Sequence, residues 1–173
     1  MKNKKLVILL EIAITAALAL ILSKFFRLYK MPQGGSVTLE MLPLAFFAYR
    51  RGFSQAMFAG FIYSIVSIIF IDNPIMHFFQ PVLDYVIPSL VMAICGFGLK
   101  KDIYVKEFLF VIAFMLRLIS HVVSGVIFYG QYAPEGTSAF MYSFIYNITY
   151  LLPSAVAVMI IIYVFDRRKL FKN

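Results

Sequence analysis

The apolar run LVILLEIAITAALALIL, residues 6–22, is the stretch that decides the fold class. A helix needs roughly 20 mostly apolar residues to cross the hydrocarbon core of a bilayer, and this run with its flanks provides them. The rest of the chain continues the pattern, because 62% of its 173 residues are hydrophobic and 14% are charged. Soluble domains carry about 45–50% apolar and about 25% charged residues. The composition therefore predicts an all-α integral membrane protein.

The apolar runs predict six transmembrane helices within a single domain, residues 1–173. The second segment is short and contains Pro43, so we expect a broken or slanted helix there rather than an upright span. The predicted helices lie at about residues 6–26, 38–50, 53–71, 81–99, 105–129 and 138–165.

The formal charge of +8 is carried by small basic clusters between the apolar runs, which is typical of cytoplasmic loops and not of a nucleic-acid-binding surface. With the N-terminus in the cytoplasm, the inner loops hold twelve Lys and Arg residues and the outer loops hold three, at Lys24, Arg27 and Lys30. This asymmetry predicts that both termini are cytoplasmic. It also places three loops together at the outer face: residues 27–37, Asp72-Asn73-Pro74 and residues 130–137.

Ionisable residues inside a membrane are costly, so each is a functional candidate. Four occur within the apolar segments: Glu11, Asp84, Arg117 and His121. Glu11 lies one turn into the first helix, which favours a structural role near the cytoplasmic interface. Arg117 and His121 are four residues apart and share one face of the fifth helix. The same face continues toward the outer loop with Gly125 and Tyr129.

The sixth helix adds a polar and aromatic cluster at the same outer depth, formed by Tyr142, Tyr146 and Asn147. One interpretation is that these groups pair within the bundle, Arg117 with Asp84 and His121 with Tyr146. The other is that the set forms a pocket for a small, flat, partly charged organic molecule, held by aromatic faces and a carboxylate. The convergence of three helices at one depth favours the pocket. His77 is interpreted as a loop or interfacial residue.

Motifs of ATP hydrolysis and of common hydrolases are absent, since the sequence contains no G-x-x-x-x-G-K-[ST], H-E-x-x-H or G-x-S-x-G pattern. The single cysteine, Cys95, allows no internal disulfide and no multi-cysteine metal site. We therefore expect binding or transport rather than catalysis, and no metal or cofactor.

Ala13 and Ala17 on the first helix have the small-xxx-small spacing that permits close approach of another helix. The spacing alone favours packing within the same bundle, and the alternative is contact with a partner protein.

Five segments of the chain together resemble a known family. They are MPQGGSVTLEMLP at residues 31–43, QPVLDY at 80–85, RLISHVVSG at 117–125, YAPEG at 132–136 and YSFIYN at 142–147. The resemblance is to the thiamine-specific substrate-binding (S) components of energy-coupling factor (ECF) transporters, the YuaJ/ThiT family. It covers almost the whole chain in order.

The resemblance implies a six-helix bundle in the bacterial cell membrane that binds thiamine near its outer face, with the first loop as a lid. It also implies a transmembrane scaffold protein and two ABC ATPases as partners, with Ala13 and Ala17 contacting the scaffold. Asp84, beside Tyr85, is expected to face the cationic or aminopyrimidine part of thiamine. The other expected contacts are Arg117, His121, Gly125, Tyr129, Tyr142, Tyr146 and Asn147, with Gly34, Ser36 and Glu40 from the lid and the start of the second helix.

The chain departs from the family pattern in having no tryptophan. Members of the family can carry Glu at the position of Asp84, and Trp at the position of Tyr129 and in the first loop. Three alternative functions stay open at this stage. The first is an S component for another vitamin or a thiamine precursor. The second is a stand-alone proton-coupled transporter, in which Asp84, Arg117 and His121 relay protons. The third is a membrane enzyme, which turnover of a bound molecule would indicate.

Overall fold

The computed structural model describes residues 2–71, 75 and 77–171 of the chain. Within these residues the all-α prediction is confirmed, because six helices form and their bounds differ from the predicted ones by only a few residues. The predicted outer loop Asp72-Asn73-Pro74 lies outside the described residues. The elements are α1 (Lys2–Lys24), a hairpin of β1 (Tyr29–Lys30) and β2 (Ser36–Val37), α2 (Met41–Arg51), α3 (Phe53–Ile69), α4 (Val82–Gly98), α5 (Ile103–Tyr129) and α6 (Ala139–Arg167).

Three of the described helices are long and apolar enough to cross a membrane by themselves: α1, α5 and α6. Helices α3 and α4 are apolar but shorter. The last eight residues of α4, Val91–Gly98, form a 3₁₀-helix. Because a 3₁₀-helix rises about 2.0 Å per residue rather than about 1.5 Å, this part of α4 reaches further than an α-helix with the same number of residues.

Helix α2 is a continuous helix of 11 residues, so of the two forms that we expected, broken or slanted, the break at Pro43 does not occur. Pro43 lies in the first turn, where a backbone N–H has no acceptor within the helix and its loss costs nothing. Neighbouring helices α1, α3, α4 and α6 surround α2. They shield a segment that is too short to span. Its buried residues are Met41, Leu44, Ala45, Phe47, Ala48 and Tyr49.

Helix α1 packs on α2 and α3 through one face with mostly small side chains. The buried residues of this face are Ile12, Thr15, Ala16 and Ala19. Ala13 and Ala17 lie outside it and are exposed on the surface of the chain. The interpretation that the Ala13-x-x-x-Ala17 pattern packs within the bundle is therefore wrong.

The end of the bundle that carries the basic loops is joined by polar contacts. The Tyr49 hydroxyl donates to the Lys106 carbonyl oxygen at 2.7 Å, and Lys106 Nζ forms an ion pair with Asp166. Arg51 donates twice to the Glu11 carboxylate, at 2.5 and 2.6 Å. These contacts join α1, α2, α5 and α6 at one end, and they agree with the structural role expected for Glu11.

Two glycines let α4 approach α3 closely. A Cβ atom on Gly96 would lie 2.3 Å from the backbone nitrogen of Phe53 and 2.5 Å from the carbonyl carbon of Gly52. A Cβ atom on Gly60 would lie 2.6 Å from the carbonyl oxygen of Ser89. Because backbone atoms cannot rotate away as side chains do, both positions require glycine while α3 and α4 keep this separation.

We predict that Gly96→Ala destabilises the bundle by about 1–3 kcal/mol, as overpacking does, because its methyl group would overlap backbone atoms at the α2–α3 junction. Thermal unfolding in detergent would measure the change. Gly130→Ala is the comparison variant: its methyl group would make one tight contact, with the Cβ of Ala139 at 3.0 Å, and would not overlap backbone atoms, so its loss of stability should be smaller. Equal unfolding temperatures for the two variants would contradict the prediction.

Candidate ligand-binding site

A cavity of about 170 Å³ lies at the end of the bundle opposite the basic loops. Five helices contribute to its wall, namely α1, α3, α4, α5 and α6, together with the segment between α1 and α2. The structure brings all twelve predicted substrate-binding residues to this one cavity. They are Gly34, Ser36, Glu40, Asp84, Tyr85, Arg117, His121, Gly125, Tyr129, Tyr142, Tyr146 and Asn147. Their contact with a ligand stays a prediction.

Glu40, the residue before α2, connects three helices at the base of the cavity. One carboxylate oxygen pairs with Arg117 Nη2 of α5, and the other accepts a hydrogen bond of 2.6 Å from the Tyr63 hydroxyl of α3. Arg117 Nη1 also donates to the Pro88 carbonyl oxygen of α4, at 3.2 Å. The alternative interpretation of the sequence, in which Arg117 pairs with Asp84, is therefore wrong. Arg117 is 5% exposed. Its charge is therefore buried, and the Glu40 carboxylate neutralises it.

Asp84 lies beside His121 in the wall of the cavity. Asp84 Oδ1 lies 3.7 Å from His121 Nδ1, and the two side chains are 18% and 11% exposed. The bond between His121 and Tyr146, which belongs to the same alternative interpretation, does not form among the described residues; the Tyr146 hydroxyl instead accepts from the Gly35 N–H. The other ring nitrogen, His121 Nε2, is buried and has no hydrogen-bond partner in the part of the chain that the structure describes. A carboxylate beside an imidazole with a free nitrogen can bind a ligand that has both donors and acceptors.

Three tyrosines on α6 form an aromatic stripe along one wall. Tyr142, Tyr146 and Tyr150 follow at intervals of four residues, and adjacent ring centroids are 6.2 and 5.9 Å apart. The His121 ring lies edge-on to Tyr150 with centroids 6.4 Å apart. These rings give the cavity the faces that a flat or cationic ligand prefers.

Asn147 belongs to the seam between α5 and α6. Its amide nitrogen donates to the Ser143 carbonyl oxygen at 2.8 Å, and its amide oxygen accepts from the Tyr150 hydroxyl at 2.7 Å. The two helices approach so closely that a Cβ atom on Gly125 would lie 2.0 Å from Ser143 Oγ. The amide of Asn147 thus orients the Tyr150 ring, while a bond from Asn147 to a ligand stays a prediction.

The hairpin between α1 and α2 covers the cavity. Gly34 has φ 98°, a backbone conformation that side chains disfavour, and its N–H donates to the Met31 carbonyl oxygen at 3.0 Å. The next residue, Gly35, donates from its N–H to the Tyr146 hydroxyl at 3.2 Å. A Cβ atom on Gly35 would lie 2.5 Å from the Tyr150 ring, so the chain passes directly over that ring.

Several residues that line the cavity were not predicted from the sequence. Tyr63 lies on α3, which we had not connected with the site, although Tyr63 and Ser67 are four apart on an apolar helix. Gln80 lies just before α4, and its Nε2 donates to the Tyr129 hydroxyl of α5 at 2.6 Å. This bond joins the start of α4 to α5. The other unpredicted lining residues are Ser23, Lys24, Arg27, Gln33, Gly35, Thr38, Ile71, Ser89, Ser143 and Tyr150. His77 lies outside this lining and stacks on Phe128, with ring centroids 5.3 Å apart.

The fold and the cavity define a multi-pass membrane protein with a polar, aromatic chamber at one end of its helical bundle. Comparison with known proteins gives the family. A family model described as thiamine transporter protein (Thia_YuaJ) matches residues 9–172. The chain belongs to this family, and the resemblance stated above is confirmed. Its family membership together with its own apolar helices indicates a multi-pass bacterial membrane protein.

Individual relatives agree with the family assignment. The chain is 33% identical over 175 residues to the thiamine transporter ThiT of Bacillus subtilis, covering 93% of this chain and 91% of that protein. It is 28% identical over 180 residues to ThiT of Lacticaseibacillus paracasei, with 93% and 87% covered. A solved structure of ThiT from Listeria monocytogenes superposes with a TM-score of 0.85 at 32% identity, covering 98% of this chain and 99% of that one.

We predict that Gly35→Ala displaces the hairpin, because its methyl group would overlap the Tyr150 ring. Limited trypsin digestion at Lys30 should then be faster by about fivefold, as expected when a contact worth about 1 kcal/mol is lost. Gly130→Ala is again the control, since it adds the same methyl group away from Tyr150. Unchanged digestion of Gly35→Ala would show that the contact does not hold the hairpin.

Proposed function

We propose that this chain binds thiamine in the cavity from the outer side of the membrane and delivers it inward as the S component of an ATP-driven ECF importer. Membership of the thiamine transporter family supports this function. The observation that carries it is the Asp84–His121 contact in a tyrosine-lined cavity. The chain itself is proposed to bind and release thiamine, with ATP hydrolysis on partner subunits.

The chemistry of thiamine matches the cavity. Thiamine consists of a cationic thiazolium ring and an aminopyrimidine ring, so it offers a positive charge, hydrogen-bond donors and acceptors, and two flat faces. The Asp84 carboxylate can accept from the amino group or balance the cation. The tyrosine rings of α6 can stack on either ring, with Tyr129 of α5 as a further aromatic wall.

The ion pair between Glu40 and Arg117 makes the cavity more suitable for a cationic ligand than for an anionic one. Because these two groups neutralise one another, Arg117 offers an anionic ligand less attraction than a free guanidinium would. The Asp84 carboxylate faces an imidazole instead of a guanidinium. The cavity floor therefore favours a cationic ligand over an anionic vitamin.

The competing functions make different predictions for the purified chain. Mass spectrometry of the molecule that co-purifies would distinguish thiamine from another vitamin or a thiamine precursor. Tight binding of thiamine in detergent, without a pH gradient, would count against a proton relay. Uptake of thiamine into vesicles that contain this chain alone would contradict the proposed dependence on an ATP-driven module.

The proposed partners are a transmembrane scaffold protein and two ABC ATPases. Exposed Ala13 and Ala17 support a helix–helix contact, because small side chains permit close approach and neither residue is used inside the bundle. Large apolar side chains surround them on α1, where Leu10 is 55% and Ile14 57% exposed. A partner helix could bury this surface within the bilayer.

We predict that Asp84→Asn weakens thiamine binding by about 1–3 kcal/mol, or roughly five- to 150-fold, because a charge-assisted interaction is lost. Isothermal titration calorimetry in detergent would measure the affinity. Glu107→Gln is the matched control, because it removes a carboxylate that does not line the cavity. Unchanged affinity of Asp84→Asn would remove Asp84 from the site.

We predict that Ala13→Trp leaves thiamine affinity within about twofold of the wild type but prevents co-purification with the scaffold protein, since its bulk blocks close helix approach. Val156→Trp is the control, because Val156 is exposed on α6, away from α1. If Ala13→Trp assembled as well as Val156→Trp, the α1 surface would not be the partner contact.

A further inference from the structure

Asp84 lies in a π-helical turn, Val82–Val86, at the start of α4. The turn is closed by the Ile87 N–H, which donates to the Val82 carbonyl oxygen five residues earlier. π-Helical turns are rare, and in other proteins they are frequent at functional sites. Some local feature of the sequence must therefore favour the π-helical turn over a regular α-helical one.

Pro88 leaves one carbonyl of this turn without a partner in its own helix. If the i→i−5 pattern continued, the N–H of residue 88 would donate to the Leu83 carbonyl oxygen, but proline has no N–H. An unpaired carbonyl within a membrane protein is costly. Ser120 of α5 supplies the missing donor, because its hydroxyl lies 2.7 Å from the Leu83 carbonyl oxygen.

The π turn determines where Asp84 points. In a regular α-helix, residues five apart are separated by roughly 140° around the axis, so Asp84 and Ser89 would face different directions. A turn with one additional residue brings them to the same side. Gln80, Asp84 and Ser89 all line the cavity, as the π-helical register of hydrogen bonds requires.

The α-helical register is the direct competitor. In that register the Ile87 N–H would donate to the Leu83 carbonyl oxygen, which would then no longer need Ser120. The Asp84 carbonyl oxygen would become the unpaired group, and the Asp84 side chain would rotate away from the cavity. The Ser120 hydroxyl therefore stabilises one register against the other.

We propose that Ser120 is a positioning residue: by donating to the Leu83 carbonyl oxygen, it holds the π turn that directs the Asp84 carboxylate into the cavity. Ser120 acts on the ligand through Asp84 rather than by contact. The proposal deepens the proposed function, and only its thiamine measurement rests on that function.

The first test needs no ligand. Asp84→Cys places a thiol at the tip of the π turn, while the native Cys95 is buried and sets the background. A membrane-impermeant methanethiosulfonate reagent should label this thiol at least about fivefold more slowly when Ser120→Ala is added, and Ser120→Thr should preserve the rate. Tyr146→Cys on α6 controls for general collapse of the cavity, so its labelling should not respond to Ser120→Ala. Equal labelling of Asp84→Cys in both backgrounds would overturn the proposal.

The second test is a double-mutant cycle on thiamine affinity. Ser120→Ala should weaken binding by about fivefold or more in the wild type but by less than about twofold in Asp84→Asn, because Ser120 acts through the carboxylate. Ser64→Ala is the matched control: Ser64 is fully buried, and its hydroxyl donates to the Phe61 carbonyl oxygen at 2.7 Å, away from the cavity. Equal losses from Ser120→Ala in both backgrounds would overturn the positioning role.

The two tests separate the two proposals. If the wild-type protein bound no thiamine, the proposed function would be wrong, while thiol labelling would still decide the role of Ser120. If thiamine bound tightly but neither labelling nor the cycle responded as stated, the function would stand and the positioning role would be overturned.

Discussion

The ion pair between Glu40 and Arg117 is the interaction on which the cavity depends. Each charge would be strongly disfavoured alone in a membrane-spanning bundle, and each is stabilised by the other together with Tyr63 and the Pro88 carbonyl. The pair fixes the start of α2 against α3, α4 and α5. Since the covering hairpin leads directly into α2, the same contact determines where the hairpin can lie.

A second constraint is that backbone polar groups need partners where water is scarce. Helix α2 is too short to span, so the chain before it must enter the bundle in an irregular conformation. The Thr38 N–H donates to Ser154 Oγ at 3.0 Å, and Ser154 Oγ in turn donates to the Tyr150 carbonyl oxygen at 2.8 Å. These side-chain bonds allow a non-helical segment at membrane depth. They also join the hairpin to the tyrosine stripe of α6.

Hydropathy and helical spacing could predict the six helices and the depth of the candidate residues, because both follow from positions along single helices. The partners could not be predicted in this way. Arg117 pairs with Glu40 rather than Asp84 because the chain places Glu40, at the start of α2, within reach of Arg117 on α5. Sequence spacing does not encode the rotation of one helix against another. Tyr63 was missed for the same reason. Tyr150 continues the four-residue interval of Tyr142 and Tyr146, so that signal was present in the sequence and was overlooked.

The polar atoms of α5 connect the stability of the fold with ligand binding. Arg117 Nε and His121 Nε2 are both buried without a hydrogen-bond partner among the described residues, and a buried unsatisfied polar group costs about 1–3 kcal/mol. The two residues are four apart, so they face the same side of α5. The burial of these two unpaired groups therefore destabilises the bundle. The Glu40–Arg117 ion pair and the close helix contacts offset that destabilisation. A ligand with a group placed to pair with His121 Nε2 would recover part of that cost, so its binding would also stabilise the bundle.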